Sequence, residues 1–141
     1  MKILLTTLNS KYVHANLALK YLYTVVAGEY SDVEAREFTI NNDPHYVYGE
    51  ILRGGYDMVC FSCYIWNISR ILELIRDLKK ARPQVRIVVG GPEVTFEAPV
   101  PHSREKTHGS ILCCAEKASI RFTGCVRCCM SRSGRWKRFR A

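Results

Sequence analysis

The sequence predicts a doubly wound α/β domain, a parallel sheet with helices on both faces, followed by a basic, Cys-rich tail. Three observations predict it. Short apolar runs rich in β-formers alternate with helical segments across residues 1–98. Turn and cap residues punctuate those segments where helices should start or stop. Composition then changes abruptly: residues 1–98 hold 11 Lys/Arg and 11 Asp/Glu, whereas residues 99–141 hold 10 Lys/Arg and only Glu105 and Glu116.

Residues 3–8 form an apolar run bounded by polar residues, as in a strand buried on both faces. The polar stretch Asn9-Ser10-Lys11-Tyr12 leads into NLALKYLYTVVAG, with Ala18, Leu22, Val25 and Val26 on one helical face and Gly28 at its end. Residues 33–40 read as a second strand, half-exposed or at an edge because of Glu34, Arg36 and Glu37. Asp43-Pro44 opens a helix: Asp caps free N–H groups, and Pro at the first helical position needs no donor. Val47, Ile51 and Leu52 mark its apolar face, and Gly54-Gly55 stops it. DMVCFSCY, residues 57–64, is the most strand-like segment of the chain. ISRILELIRDLKK follows with Ile68, Ile71, Leu72, Ile75 and Leu78 at helical spacing; its basic end suits the negative pole of the helix dipole, and Pro83 closes it. Residues 85–89 make a fourth buried strand that ends at Gly90-Gly91.

A chain of 141 residues suffices for one domain with a real core. Lys2 and the short run after it are too little for a secretion signal, and no stretch approaches the roughly 20 apolar residues of a spanning helix, so a cytoplasmic location is expected.

Ligands of doubly wound sheets bind beyond the carboxyl ends of the strands, where strand order reverses. In a flavodoxin-like order of 2-1-3-4, the loops at residues 9–16, 62–67 and 90–93 gather at one edge. A phosphoacceptor site would need an Asp at the end of strand three and acids after strand one; the chain has Ser62 and Cys63, and no acid. A dinucleotide site would need Gly-x-Gly-x-x-Gly after strand one, which is missing. Thr6, Thr7 and Ser10 only faintly suggest a flavodoxin-type phosphate loop.

The segments NSKYVHANLALKYL (9–22) and DMVCFSCYIWNI…VVGGPEVTF (57–96) resemble the cobalamin-binding domain, in the version that precedes a radical S-adenosylmethionine (SAM) domain. The family's Ser-x-Leu and Gly-Gly motifs stand here as Ser62-Cys63-Tyr64 and Gly90-Gly91, the third position of the first departing. The resemblance implies cobalamin as cofactor and a radical SAM domain as partner, normally in the same chain. Methyl-transfer or similar radical chemistry would belong to the full-length relative, with an iron–sulfur cluster and SAM in a further domain and no catalysis by residues 1–141 alone. Neither membrane nor nucleic acid is then the expected partner.

The implied cofactor residues are Asn9, Ser10, Lys11, Tyr12 and His14 in the first loop; Ser62, Cys63, Tyr64 and Trp66 in the second; and Gly90, Gly91, Pro92 and Glu93 in the third. Glycine lets a backbone approach the nucleotide tail, Ser62 offers a hydroxyl, and Tyr64 and Trp66 offer flat apolar faces to the corrin. The family's Asp-x-His-x-x-Gly is absent, since Tyr12 and Leu17 flank His14, so His14 is a weak candidate for cobalt and a plainer loop histidine. Plainer readings also exist for the rest. Gly90-Gly91 suits a tight turn, Ser62 a local backbone bond, and Tyr64 and Trp66 an ordinary core. Cys60 and Cys63, three apart on a strand, point to opposite faces and read as core fillers.

After Ala98 only residues 111–114 and 119–122 are apolar patches, so the fifth strand is expected to be missing or irregular. The Cys-x-x-x-Cys-x-x-Cys of an iron–sulfur site is also missing. Three readings of the tail compete: zinc binding through Cys114, Cys125 and Cys128; a basic arm RSGRWKRFR for nucleic acid or anionic membrane; and a truncated or frameshifted reading of a longer gene, the favoured one. The rival to a cobalamin module is thus a small nucleic-acid- or metal-binding protein acting through this tail.

Overall fold

Four apolar runs, one for each expected strand, build the parallel core of the sheet, and helices cover both of its faces. The computed structural model describes residues 1–11 and 15–95, and the backbone of 111–114. In chain order the elements are β1 (Ile3–Asn9), α1 (Leu17–Ala27), β2 (Val33–Thr39), α2 (Pro44–Gly54), β3 (Met58–Ser62), α3 (Ile68–Ala81), β4 (Arg86–Gly90), the single turn α4 (Pro92–Thr95) and β5 (Ile111–Cys114). The sheet is parallel throughout, in the order β2-β1-β3-β4-β5.

The expected order 2-1-3-4 and the doubly wound class are therefore present. One correction is needed: the fifth strand is not missing. It forms at Ile111–Cys114, one of the two apolar patches noted after residue 98, and pairs with β4 from Ile87↔Ile111 to Gly90↔Cys114. Four residues show no periodicity, so the sequence alone gave no reason to place a strand there.

Side-chain parity divides the core into two layers. Ile3, Leu5, Met58, Cys60 and Val88 face α1 and pack with its Leu19 and Val26. Leu4, Leu8, Val59, Phe61, Ile87 and Val89 face α2 and α3, meeting Val47, Ile51, Ile71, Leu74, Ile75 and Leu78. Cys60 lies in the first layer and Cys63 in the second, as their offset of three requires. Within α1 the buried residues are Val26, which belongs to the expected face of Ala18, Leu22, Val25 and Val26, and Leu19, which that face passes over.

Local chemistry explains the helix ends. The Asp43 carboxylate accepts from the N–H groups of His45 and Tyr46, with Pro44 at the first helical position. Gly55 closes α2 at φ 67°, a left-handed conformation that costs glycine little. On the edge strand, Arg36 bridges Glu34 and Glu50, and the buried Tyr56 hydroxyl donates to Glu34 at 2.6 Å. That hydroxyl first, and Arg36 after it, hold the Glu34 carboxyl below its ordinary range against the opposing effect of burial. Burial first, then Glu34, pushes the Tyr56 phenol up, so it stays protonated as a donor.

Because the folded-state pKa of Glu34 is depressed, its contribution is complete above the ordinary carboxylate pKa of about 4.3 and is lost as pH falls through the lower folded value. Tyr56→Phe is expected to cost about 1 kcal/mol at neutral pH and to make the acid-side loss of stability shallower. Urea unfolding at several pH values checks both.

Candidate functional site

The parallel register puts one row of residues across the carboxyl rim. Glu37 stands opposite Thr7, Thr7 opposite Ser62, Ser62 opposite Gly90, and Gly90 opposite Cys114. In a parallel ladder paired residues share a face, so Glu37, Thr7 and Ser62 point to the α1 side, above Leu5 and Cys60. Gly90 occupies that side next to Ser62 with no side chain. The three expected loops do converge on this rim.

A buried amide holds them there. Asn67 is wholly inaccessible; its Nδ2 donates to Leu8 O at 3.0 Å, Ser62 O at 3.2 Å and Thr7 Oγ1 at 3.3 Å. Its Oδ1 accepts from the Tyr64 N–H at 2.8 Å. Thr7 Oγ1 adds a bond to Ser62 O at 3.0 Å. Asn67 precedes α3 in the capping position but makes no side-chain cap, because its carboxamide is committed to the rim. Sequence reasoning ended the second loop at Asn67 without giving it a role; an Asn just before a helix points to a cap, not to a partner 60 positions away.

The third loop is locked by close backbone contact. Cys63 N–H donates to Gly90 O at 2.6 Å. Gly91 has φ 116°, and a Cβ there would stand 2.3 Å from Cys63 O and 2.9 Å from Cys63 N. The two glycines thus answer different needs. Gly91 must lack a side chain because the chain's own backbone occupies that space, which corrects the expectation that this position is open to a ligand. Gly90 has no positive φ to accommodate and faces the α1 side of the rim.

Ser62 is 8% exposed, and the hydrogen bonds at this residue end on its carbonyl. Among the described residues its hydroxyl has no partner. Tyr64 and Trp66 are not core aromatics: their rings stack on each other at 4.6 Å and 4°, with Trp66 47% exposed and Ile65 78% exposed. Asn16, the N-cap of α1, donates to the Tyr64 hydroxyl at 3.2 Å, which links the first and second loops. Cys63 is buried on the α2–α3 side, so it meets the rim with its backbone. Asn9 and Ser10 are half-buried and Lys11 is exposed; Pro92 is exposed, and Glu93 half-exposed in the first turn of α4. Tyr12, His14, Cys125 and Cys128 lie outside the described residues, as does the Cys114 side chain. Among the described residues no group of three or more His, Cys, Asp or Glu could hold a metal ion, and no helix is long and apolar enough to cross a membrane.

A doubly wound sheet with an unpartnered hydroxyl, a side-chain-free strand end and an exposed aromatic pair on one rim is a binding domain for a broad, flat ligand. The chain belongs to the B12 binding domain family, whose model matches residues 3–100. Cobalamin is accordingly the cofactor of this fold, and the rim fits it by chemistry as well as by position. Among solved structures, one similar fold is a cobalamin-binding protein from Desulfitobacterium hafniense DCB-2, at TM-score 0.62 and 16% identity over 89% of this chain. The chain spans 57% of the length of that protein. A CheY-like protein from Pseudomonas aeruginosa PAO1 is similar at TM-score 0.56 and 16% identity, over 89% of this chain and 98% of its own. At such identity both show the fold alone. No curated protein matches the chain in sequence.

Gly91→Ala is expected to destabilise the domain by about 2–4 kcal/mol, since it adds both a strained φ and a clash with rigid backbone. Gly55→Ala, strained in φ but facing open space, should cost about 1 kcal/mol. Denaturant midpoints of the two variants compare them directly.

Proposed function

We propose that this chain is the cobalamin-binding module of a cobalamin-dependent radical SAM enzyme, carrying the corrinoid at the carboxyl rim of the sheet on the α1 side. The observation that carries the reading is the row Thr7–Ser62–Gly90, where a hydroxyl without a partner stands beside a position without a side chain. In this reading Ser62 donates to, or accepts from, a polar group of the nucleotide tail, and Gly90 leaves width for that tail. Asn9, Ser10 and Lys11, with Pro92 and Glu93, border the two sides of the entrance. Tyr64 and Trp66 present flat apolar surface to the macrocycle. When bound, a corrinoid supplies cobalt-centred group transfer. The chain's rim residues would bind and orient it.

The radical SAM context rests on the resemblance of NSKYVHANLALKYL and DMVCFSCYIWNI to modules of that kind. The iron–sulfur cluster and SAM would then sit in a further domain, and residues 1–141 alone would have no catalytic activity. The residues after about position 98, where the composition changes, are proposed to depart from the natural reading of the gene. DNA beyond that codon with Cys-x-x-x-Cys-x-x-Cys in any frame supports this context; none in the adjoining sequence counts against it.

Titration with hydroxocobalamin, followed by visible absorption, should show saturable binding by the folded chain. Loss of one hydrogen bond in Ser62→Ala is expected to weaken binding about fivefold, roughly 1 kcal/mol. Gly90→Val, which adds bulk without a φ conflict, should weaken it more than Ser62→Ala. A folded protein whose mixture spectra merely add would refute the reading.

A further inference from the structure

We propose that Glu37 is a positioning residue for the cofactor rim: its carboxylate clasps both ends of the first loop and, through Asn16, sets the Tyr64–Trp66 shelf. The proposal rests on the cobalamin reading and deepens it.

Glu37 sits near the end of β2, opposite Thr7 and on the same face as Ser62. One of its oxygens, Oε2, accepts from Asn9 Nδ2 at 2.5 Å and from the Asn16 backbone N–H at 2.9 Å. Those donors bracket the first loop, at the end of β1 and at the N-cap of α1. Asn16 carries the constraint onward. Its Oδ1 accepts from the Leu19 N–H at 3.0 Å, which fixes the start of α1, and its Nδ2 donates to the Tyr64 hydroxyl at 3.2 Å. Tyr64 in turn stacks in parallel on Trp66. One carboxylate therefore connects β2, the loop after β1 and the turn after β3.

Neighbouring charges do not account for this carboxylate. Arg36 points to the opposite face and is taken by Glu34 and Glu50. Among the described residues no cation pairs with Glu37, so amide donors hold it. Both bonds fall on one oxygen, so a neutral carboxamide can replace it, provided its oxygen takes the same place. That separates a clasp from a charge. Glu37→Gln preserves the acceptor and removes the charge, whereas Glu37→Ala removes both.

The experiment combines hydroxocobalamin titration of the full chain with amide hydrogen exchange at Asn16 and Leu19 by NMR. Glu37→Ala is expected to weaken binding about tenfold and to speed exchange at both amides, with a melting temperature close to that of the parent. Glu37→Gln should remain within about threefold of the parent in affinity and keep the amides protected. Unchanged affinity in Glu37→Ala, or equal loss in both variants, overturns the positioning role; equal loss would assign the effect to charge. If the parent itself binds no hydroxocobalamin, the cobalamin reading fails. Exchange at Asn16 then still decides whether the clasp exists, and unchanged protection in Glu37→Ala overturns it.

Discussion

The rim depends on one buried carboxamide. At the end of a parallel sheet the last carbonyls of neighbouring strands lose their ladder partners, and a buried carbonyl without a donor is costly, about 1–3 kcal/mol each. Asn67 supplies donors to the carbonyls of Leu8 and Ser62, near the ends of β1 and β3. Its own oxygen takes the N–H of Tyr64 and so folds the turn that returns the chain into α3. That turn raises Ile65 and Trp66 into solvent and presses the Cys63 backbone against Gly91. Strand ends, aromatic shelf and third loop therefore share one cause.

Adjacent glycines on the page of a sequence suggest a single property, but here the backbone separates them. Strand parity sends Gly90 to the α1 side of the sheet beside Ser62, while the chain turns at Gly91 with a positive φ and no room for a Cβ. The second glycine makes the loop possible, and the first shapes the surface that the loop exposes. Thr7 and Ser62 show a comparable division. Thr7 directs its hydroxyl inward to Ser62 O and thereby ties β1 to β3, while the serine hydroxyl has no partner among the described residues.

The architecture was legible where short-range chemistry governs it. Apolar runs ending in polar residues marked β1, β3 and β4, and Asp43-Pro44 with Gly55 marked both ends of α2. Legibility failed where partners are distant in sequence. Glu37 read as an edge-strand charge because nothing nearby shows that Asn9 and Asn16, 28 and 21 positions away, are its partners. Asn67 was given no role for the same reason, its partners Thr7 and Leu8 being about 60 positions away. The fifth strand escaped because four residues carry no period and their ladder partner, β4, is distant in sequence. Gly91 was read as open to a ligand because only coordinates reveal that Cys63 lies against it.

The network around Glu37 also occupies the start of the first helix. Doubly wound sheets often hold phosphate at the N-terminus of the first helix, where free N–H groups and the dipole attract an anion. Here that end of α1 is already served from within. The Asn16 N–H is bonded to the Glu37 carboxylate and the Leu19 N–H to the Asn16 side chain. Two of the donors at that end are therefore already in use, one of them by a carboxylate. Leu17 is 78% exposed and Tyr21 53%, on the helix that starts at this rim, and Ile65 and Trp66 are exposed on the turn bonded to it. Apolar surface thus lies beside the helix start that Glu37 holds. By committing its own carboxylate to the helix start, the chain fills from within part of a position that doubly wound sheets often leave to a phosphate.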